Sequence, residues 1–246
     1  MKAIIVIPAR LRSTRLPRKV LLDLGGKPVI QRVYEACLKA TLYHQIWIAA
    51  DSDEVFNVCR SFTSNVIMTR EDHPSGTDRI AEVIEKIACD VVVNVQGDEP
   101  FVDAGIIDRL ITELQQSDAP MASVYAPVQN IDELNNPNLV KVITDINHDA
   151  IYFSRYPIPF SRDGEISDTS VYKKHMGIYA YKASFLKAFV TMPISFLENT
   201  EKLEQLRAIE NGYKIKMIEV KGIEKGIDTP EDLELALKKI KENGII

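Results

Sequence analysis

The feature that most constrains the fold of this chain is a regular alternation of short β-branched runs with helix-like segments in its first half. This β-α-β-α order predicts a parallel sheet joined by right-handed crossovers. Ligands of such sheets bind beyond the carboxyl ends of the strands, so functional side chains should follow each strand. The predicted strands are residues 3–7, 45–50, 65–68 and 90–95, and the predicted helices are residues 29–40, 53–62 and 77–88.

The second half has a less regular pattern. Residues 156–172, with two prolines and a glycine, predict a loop. The whole chain is therefore expected to be one α/β domain: a mostly parallel central sheet with helices on both faces, and a smaller irregular β-containing subdomain in the second half. The predicted strands here are residues 121–128, 139–144, 150–154, 175–181 and 214–220, and the predicted helices are residues 200–211 and 230–242.

Composition limits the class of protein. With 246 residues, 46% hydrophobic, the chain can bury a sizeable core without a disulfide or metal. No apolar run is long enough to span a bilayer, and no signal-peptide pattern follows Met1. The three cysteines, Cys37, Cys59 and Cys89, are far apart and lack zinc spacing. A net charge of −5 argues against a nucleic-acid partner. We therefore expect a cytoplasmic protein that binds neither membrane nor nucleic acid.

A dense group of cations follows the first predicted strand: Arg10, Arg12, Arg15, Arg18 and Lys19. The loop matches neither a P-loop nor a dinucleotide fingerprint. It could still cradle phosphate, with charge from Arg10, Arg15 and Lys19 and with hydroxyl donors from Ser13 and Thr14. Arg12 and Arg18 are the expected bystanders. The alternative is a solvated loop whose arginines pair with surface carboxylates.

Two carboxylates occupy similar positions elsewhere in the chain. Asp98 follows the buried run of residues 91–95, and Asp228 precedes a helix for which Thr229 is a good N-cap and Pro230 a good first residue. Carboxylate oxygens at a strand edge can hold Mg²⁺ together with substrate phosphates. Equally, Asp98 could be a turn residue and Asp228 a plain loop residue.

The stretch HPSGTDR, residues 73–79, predicts a helix N-terminus that can face an anion or a base edge. Ser75 and Gly76 lie in its turn, and Thr77 could be only the cap. Arg79 in the first turn opposes the helix dipole, which favours an anionic ligand nearby, although Asp72 or Asp78 could satisfy it.

Polar side chains in the second half suit a polyhydroxylated acid, with an arginine for the carboxylate and other groups for the hydroxyls. His175 alone is more often structural than functional, and part of the predicted helix 200–211 is core. The set comprises Arg155, His175, Tyr179, Glu204 and Gln205.

Together these blocks resemble the 3-deoxy-manno-octulosonate (Kdo) cytidylyltransferase family, end to end and in the same order. The resemblance implies a Rossmann-like nucleotidyltransferase fold, a magnesium cofactor, and the reaction of CTP with Kdo to give CMP-Kdo and diphosphate, for lipopolysaccharide biosynthesis. The family commonly has glycine where this chain has Arg18. The blocks are IPARLRSTRLPRK, HPSGTDR, NVQGDEP, FSR, KHMGIYAY, LEQLRA and GIDTPEDLE.

The same resemblance implies a role for each site residue. Arg15, Lys19, Asp98 and Asp228 would be catalytic, and the two aspartates would hold the metal. CTP would be bound by Arg10, Ser13, Arg15, Lys19, Ser75, Gly76 and Arg79, and Kdo by Gln96, Arg155, His175, Tyr179, Glu204 and Gln205.

The resemblance also divides the chain by function. Residues 1–130 would bind the nucleotide, and residues 221–246 would return to the core. Residues 131–220 would bind the sugar and form a homodimer, through the irregular region of residues 134–172.

Other functions remain open from sequence. The sugar could be the 8-amino analogue of Kdo, or less readily a sialic acid, whose enzymes typically have a glycine in the first loop that residues 11–18 lack. A non-catalytic nucleotide sensor would need the basic loop but not both carboxylates. A nicotinamide-dependent dehydrogenase is disfavoured by the missing glycine fingerprint.

Overall fold

The computed structural model describes residues 1–13, 15–162, 168–222 and 226–242. Within these ranges the chain divides into two compact units. The first contains residues 1–108 and the C-terminal residues 226–242, and the second contains residues 109–222. The predicted functional division at residues 130 and 220 stays a prediction.

The strands confirm the alternating pattern read from the sequence, with small shifts at their ends. In chain order they are β1 (Ala3–Ala9), β2 (Gln45–Ala50), β3 (Val66–Met68), β4 (Val91–Asn94), β5 (Met121–Pro127), β6 (Lys141–Thr144), β7 (Ala150–Ser154), β8 (Lys173–Lys182) and β9 (Ile215–Glu219).

The α-helices include three that the sequence analysis missed: α4, α5 and α6. In chain order the helices are α1 (Val29–Cys37), α2 (Asp53–Arg60), α3 (Gly76–Lys86), α4 (Ala104–Gln116), α5 (Ile131–Asn135), α6 (Ala183–Phe189), α7 (Phe196–Glu201), α8 (Leu206–Glu210) and α9 (Pro230–Glu242). Among the described residues, no helix combines the length and apolar character needed to cross a membrane.

The sheet of the first unit is parallel, in the order β3-β2-β1-β4. Every residue of β1 is buried, as expected for a central strand covered on both faces. Ile4 lies opposite Gln45 on one side and Val92 on the other. This register brings the carboxyl ends of β1 and β4 side by side, so the chain that follows each strand begins at the same edge.

The second unit has a mixed sheet. β5 pairs antiparallel with β8 and parallel with β9, while β6 pairs antiparallel with both β7 and β8. The β5–β8 ladder is interrupted: Ser123 lies opposite Tyr179, but Val124 lies opposite Met176. Two residues of β8 therefore have no partner in β5, which makes a bulge.

One predicted helix was wrong. Residues 200–211 do not form a single helix, because Lys202 adopts a left-handed conformation (φ 54°) and ends α7. The chain turns before α8 begins at Leu206, so Glu204 and Gln205 lie in that turn and not on a helix. A left-handed lysine is uncommon, and helical spacing in the sequence gives no sign of it.

Two smaller predictions concern local structure. Ser75, not Thr77, is the N-cap of α3, since its hydroxyl accepts a hydrogen bond from the Asp78 backbone N–H. The predicted loop at 156–172 contains a short 3₁₀ helix at Thr169–Val171, and its residues 163–167 lie outside the described part of the chain.

Candidate active site

A cavity of about 420 Å³ lies at the carboxyl edge of the parallel sheet in the first unit. Most of the predicted phosphate and metal residues line it, which follows from the adjacent ends of β1 and β4. Thr14, predicted to donate a hydroxyl here, lies outside the described residues. The lining residues are Pro8, Arg10, Arg12, Ser13, Arg15, Lys19, Val20, Gln96, Gly97, Asp98 and Asp228.

Two backbone segments that line this cavity, at Pro8 and at Gly97, lie unusually close together. A Cβ atom at Gly97 would lie 2.7 Å from the carbonyl oxygen of Pro8 and 3.2 Å from Cδ1 of Ile30. Only glycine allows the segment after β4 to pass so near the end of β1. Gly97 therefore brings the basic loop and Asp98 to the same cavity.

Lys19 is the centre of the charged cluster in the cavity. Its Nζ donates a hydrogen bond to Oδ1 of Asp228 at 2.8 Å and contacts Oδ2 of Asp98 as well. The Lys19 side chain is only 16% exposed. Asp98 and Asp228, which lie 79 and 209 positions after Lys19 in the sequence, thus meet at its ammonium group.

The environment of Lys19 keeps it charged. Burial by itself would lower the pKa of Lys19, but the charge of Asp98 and the hydrogen bonds to both carboxylates outweigh it and leave the pKa above its ordinary value. The ammonium therefore stays protonated at physiological pH and supplies a fixed positive charge between the two aspartates.

The arginines of the first loop behave differently from one another. Arg15 pairs with Oδ2 of Asp228 at 2.9 Å. Arg12, although it also lines the cavity, pairs with Glu71, and Arg18 pairs with Glu54; all four of these side chains are well exposed. Surface pairs of this kind contribute little stability, and the prediction that Arg12 and Arg18 are bystanders stays a prediction.

The helix α3 region contributes less to this cavity than the sequence suggested. Arg79 is fully buried, and its guanidinium donates to Oγ1 of Thr69 at 2.6 Å and to the carbonyl of Arg70 at 2.9 Å. Burial lowers the pKa of Arg79. Neither Ser75 nor Arg79 lines the cavity, whereas a Cβ at Gly76 would lie 3.5 Å from Pro8.

Arg155, in the second unit, is held by backbone oxygens. Its Nε donates to the carbonyl of Glu201 at 2.8 Å and a terminal nitrogen donates to the carbonyl of Pro137 at 3.1 Å. Lys141, which sequence reasoning missed, is fully buried and donates to the carbonyl of Arg155 at 2.7 Å. A lysine inside an apolar strand was the one available signal for it.

His175 and its neighbours form an aromatic group in the same unit. The His175 ring lies 5.0 Å from Phe153 in an edge arrangement and 5.4 Å from Tyr179. Gln205 is buried, and its side-chain Nε2 has no hydrogen-bond partner among the described residues. Glu204 lies 3.9 Å from Arg207. A buried amide donor without a partner is costly unless a ligand or water accepts from it.

His175 is neutral at physiological pH. The residue has intermediate solvent exposure, but the surrounding protein atoms are dense enough that burial lowers its pKa to about 3. Any role it has in binding is therefore that of an uncharged imidazole, which offers one donor and one acceptor.

A third carboxyl beside the cavity was not singled out from sequence. Burial raises the pKa of Glu99 to about 8, with the charges of Asp98 and Asp228 adding to the effect. Its position next to Asp98 in the sequence was the only signal. Within the described residues no group of three or more metal-ligating side chains occurs.

Comparison with known proteins first identifies the class. Residues 4–217 match the model of a family described as cytidylyltransferase. The solved structure of CMP:2-keto-3-deoxy-manno-octonic acid synthetase complexed with CTP superimposes with a TM-score of 0.94, at 40% identity, covering 99% of this chain and 100% of that one. The 4-diphosphocytidyl-2C-methyl-D-erythritol synthase of Anaerococcus prevotii shares the fold, with a TM-score of 0.64 at 15% identity, covering 98% of this chain and 96% of that one.

Sequence relatives then identify the family. The 3-deoxy-manno-octulosonate cytidylyltransferase of Pseudoalteromonas translucida is 48% identical, covering 95% of this chain and 95% of the relative. The one of Geobacter sulfurreducens is 43% identical, covering 96% and 98%. The chain belongs to the 3-deoxy-manno-octulosonate cytidylyltransferase family, a group of nucleotidyltransferases, and the predicted α/β fold class is confirmed.

The low pKa of His175 predicts a pH dependence of stability. The unfolded chain binds a proton at this histidine below about pH 6.5, whereas the folded chain does not until about pH 3. The unfolding free energy should therefore decrease as the pH is lowered from about 6.5 towards 3, by about 1 kcal/mol per pH unit from this group. Urea denaturation of wild type and His175→Gln at several pH values measures it.

The difference between the two curves isolates His175 from the carboxylates that both proteins share. His148→Asn is a matched control, because His148 is exposed and asparagine tolerates its positive φ. If the wild-type and His175→Gln curves run parallel between pH 6.5 and pH 4, the imidazole is not held neutral by burial.

Proposed function

We propose that this chain transfers the cytidylyl group of CTP to Kdo, releasing diphosphate and forming CMP-Kdo for lipopolysaccharide biosynthesis. The observation that carries the proposal is the cavity of the first unit, where a basic loop and two carboxylates converge on Lys19. Full-length relatives named for this activity supply the identity of both substrates.

The triphosphate of CTP is proposed to bind along the basic loop. Arg10, Arg15 and Lys19 line the cavity with Ser13, whose hydroxyl can donate to a phosphate oxygen. Two unit charges about 4 Å apart interact by about 4 kcal/mol at an effective dielectric near 20. Several cations around one polyanion therefore outweigh the cost of ordering their side chains.

The donor set also fits a magnesium ion, which we propose as the cofactor. Oxygens of Asp98 and Asp228 both reach one cationic point, the Lys19 ammonium. Magnesium is usually held by one or two carboxylates together with substrate phosphates, and it needs no further protein ligand. When bound, the ion would neutralise phosphate charge and draw electron density from the reacting phosphorus.

In the proposed reaction the anomeric hydroxyl of Kdo attacks the α-phosphorus of CTP. A new O–P bond forms, the bond between the α-phosphorus and the diphosphate leaving group breaks in line, and the hydroxyl proton passes to water. Lys19, held protonated, stabilises negative charge that grows on the phosphate oxygens. Arg15 is proposed to assist in the same way from the edge of the cavity.

The sugar is proposed to be recognised by neutral and cationic groups. Arg155 would pair with the Kdo carboxylate, and the buried Nε2 of Gln205 would donate to a hydroxyl. Because Arg155 already provides a cation for the carboxylate, an uncharged His175 is suited to a hydroxyl of the sugar. The remaining proposed sugar contacts are Gln96, Tyr179 and Glu204. The remaining proposed nucleotide contacts, which do not line the cavity, are Ser75, Gly76 and Arg79.

The alternative functions are not favoured. The relatives described above are named for Kdo and not for its 8-amino analogue or a sialic acid. A non-catalytic sensor would have no need for both Asp98 and Asp228 at one cationic centre. The dehydrogenase alternative has no support in the cytidylyltransferase family match.

The assembly is proposed to be a cytoplasmic homodimer. Large apolar side chains that are more than half exposed support a protein partner for the region around residues 146–171. They are Ile146, Ile151, Tyr156, Phe160 and Val171.

A substrate panel tests the proposed reaction. Diphosphate release should be fast with CTP and Kdo together, and much slower with ATP, GTP or UTP, with the 8-amino sugar or with a sialic acid. A reaction without sugar measures background hydrolysis. Faster turnover with another sugar would overturn the substrate assignment, and CTP binding without any turnover would favour the sensor.

The carboxylate pair predicts a loss of turnover without a loss of fold. Asp98→Asn and Asp228→Asn should each lower kcat by about 100-fold or more, because each removes a charge from the reaction centre. Calorimetry should also show weaker magnesium-dependent binding of CTP. Asp53→Asn, an exposed carboxylate on α2, is the matched control; near-normal turnover in either cavity variant would exclude that residue as a ligand.

The homodimer predicts a change in sedimentation when its apolar surface is charged. Wild type should sediment as a dimer at micromolar concentration, and Phe160→Asp should shift the equilibrium towards monomer. Leu235→Asp places the same charge at an exposed leucine of α9 and should sediment like wild type. A wild-type monomer, or equal effects of both variants, would refute this interface.

A further inference from the structure

Ser123 is a fully buried polar residue on β5 to which neither the sequence analysis nor the proposed reaction assigns a role. It lies at the bulge of the β5–β8 ladder, where Ser123 is opposite Tyr179 and the next residue is opposite Met176. The bulge leaves two residues of β8 without a partner in β5, so backbone carbonyls in this part of β8 can turn towards a side chain instead.

The Ser123 hydroxyl has three polar neighbours. Its Oγ lies 2.9 Å from the carbonyl oxygen of Ile178, 3.2 Å from that of Met176 and 2.9 Å from Nε2 of His175. Carbonyl oxygens only accept hydrogen bonds, and a hydroxyl has a single proton to donate. If that proton pointed at Nε2, the Oγ lone pairs would face two carbonyl oxygens with no hydrogen between them, which is repulsive.

The favourable arrangement therefore fixes the direction of each hydrogen bond at the Ser123 hydroxyl. The hydroxyl donates to a β8 carbonyl, and the remaining Oγ lone pairs accept a hydrogen bond from Nε2–H of His175. The Ser123 hydroxyl proton and the His175 Nε2–H then each have an acceptor. The edge-on contact with Phe153 at 5.0 Å restricts rotation of the imidazole ring.

We propose that Ser123 is a positioning residue that holds His175 as the neutral tautomer protonated at Nε2, so that Nδ1 faces the sugar site as an acceptor. Nδ1 has no hydrogen-bond partner within the described residues, so it is available to a ligand. The tautomer follows from the contacts of Ser123 alone, while the sugar contact rests on the proposed function.

The acceptor Nδ1 of His175 determines which kind of ligand group can bind beside it. An acceptor nitrogen binds a hydroxyl that donates and disfavours an ether or carbonyl oxygen at the same place, because two acceptors repel. The tautomer set by Ser123 would thus make His175 specific for a sugar hydroxyl.

The tautomer is tested by nuclear magnetic resonance on full-length protein with ¹⁵N-labelled histidine. Long-range ¹H–¹⁵N spectra distinguish Nε2–H from Nδ1–H, and the His175→Gln spectrum identifies the His175 signals among the four histidines. Wild type at pH 7 should show the Nε2–H pattern. An Nδ1–H pattern overturns the proposal whether or not Kdo proves to be the substrate.

Titration with Kdo tests the acceptor role. The Nδ1 resonance should shift on saturation with the sugar, as expected when a pyridine-type nitrogen accepts a hydrogen bond. An unchanged resonance in an enzyme that turns Kdo over would leave the tautomer intact but exclude the proposed sugar contact.

Variants separate positioning from general stability. Ser123→Ala should mix or reverse the tautomers and raise KM for Kdo by about tenfold, the equivalent of one hydrogen bond, with KM for CTP unchanged. Ser123→Thr keeps the hydroxyl and should restore the Nε2–H pattern. Ala122→Gly, in the same buried strand, controls for destabilisation.

If Ser123→Ala and Ala122→Gly alter KM for Kdo to the same extent, Ser123 has only a structural role and the proposal fails. The tautomer spectrum of each variant decides the question even where thermal stability is reduced, because it is read on the folded fraction.

Discussion

The structure depends most on the contact of one ammonium group with two carboxylates. Lys19 meets Asp98 and Asp228 at the carboxyl edge of the parallel sheet, and its side chain is largely shielded from water. Removing the ammonium would leave two carboxylates close together without a counter-charge, which is costly, whereas removing one carboxylate leaves Lys19 paired with the other. The cluster therefore joins the first loop, the segment after β4 and the approach to α9 into one site, and it fixes positive charge where phosphate is proposed to bind.

The backbone makes this contact possible. β1 and β4 are parallel neighbours, so their ends share one edge, and glycine at position 97 lets the second segment pass close to Pro8. Membership of the 3-deoxy-manno-octulosonate cytidylyltransferase family explains why such a site is basic and acidic at once. The substrates are anions, so their approach needs cations on the protein, and the two carboxylates are those proposed to hold magnesium.

Predictions from sequence succeeded where the signal was local. The strands β1, β2 and β4, the cap of α9 and the charged loop were all readable from short patterns, and Thr229 caps α9 as expected. They failed where a distant or conformational effect decided. The left-handed Lys202 divided a predicted helix in two. Helix α4 was missed, although its apolar residues recur at helical spacing.

By itself the sequence determined the order of the strands, some of the helices, the family and the types of residue available for the chemistry, because each depends on patterns within a few tens of residues. Only the tertiary structure decided which of those residues meet. Asp228 reaches Lys19 across 209 positions, and Ser123 reaches His175 across 52 positions through a bulge in β8. Strand register and bulges set such meetings, and they result from packing the whole sheet rather than from any single segment.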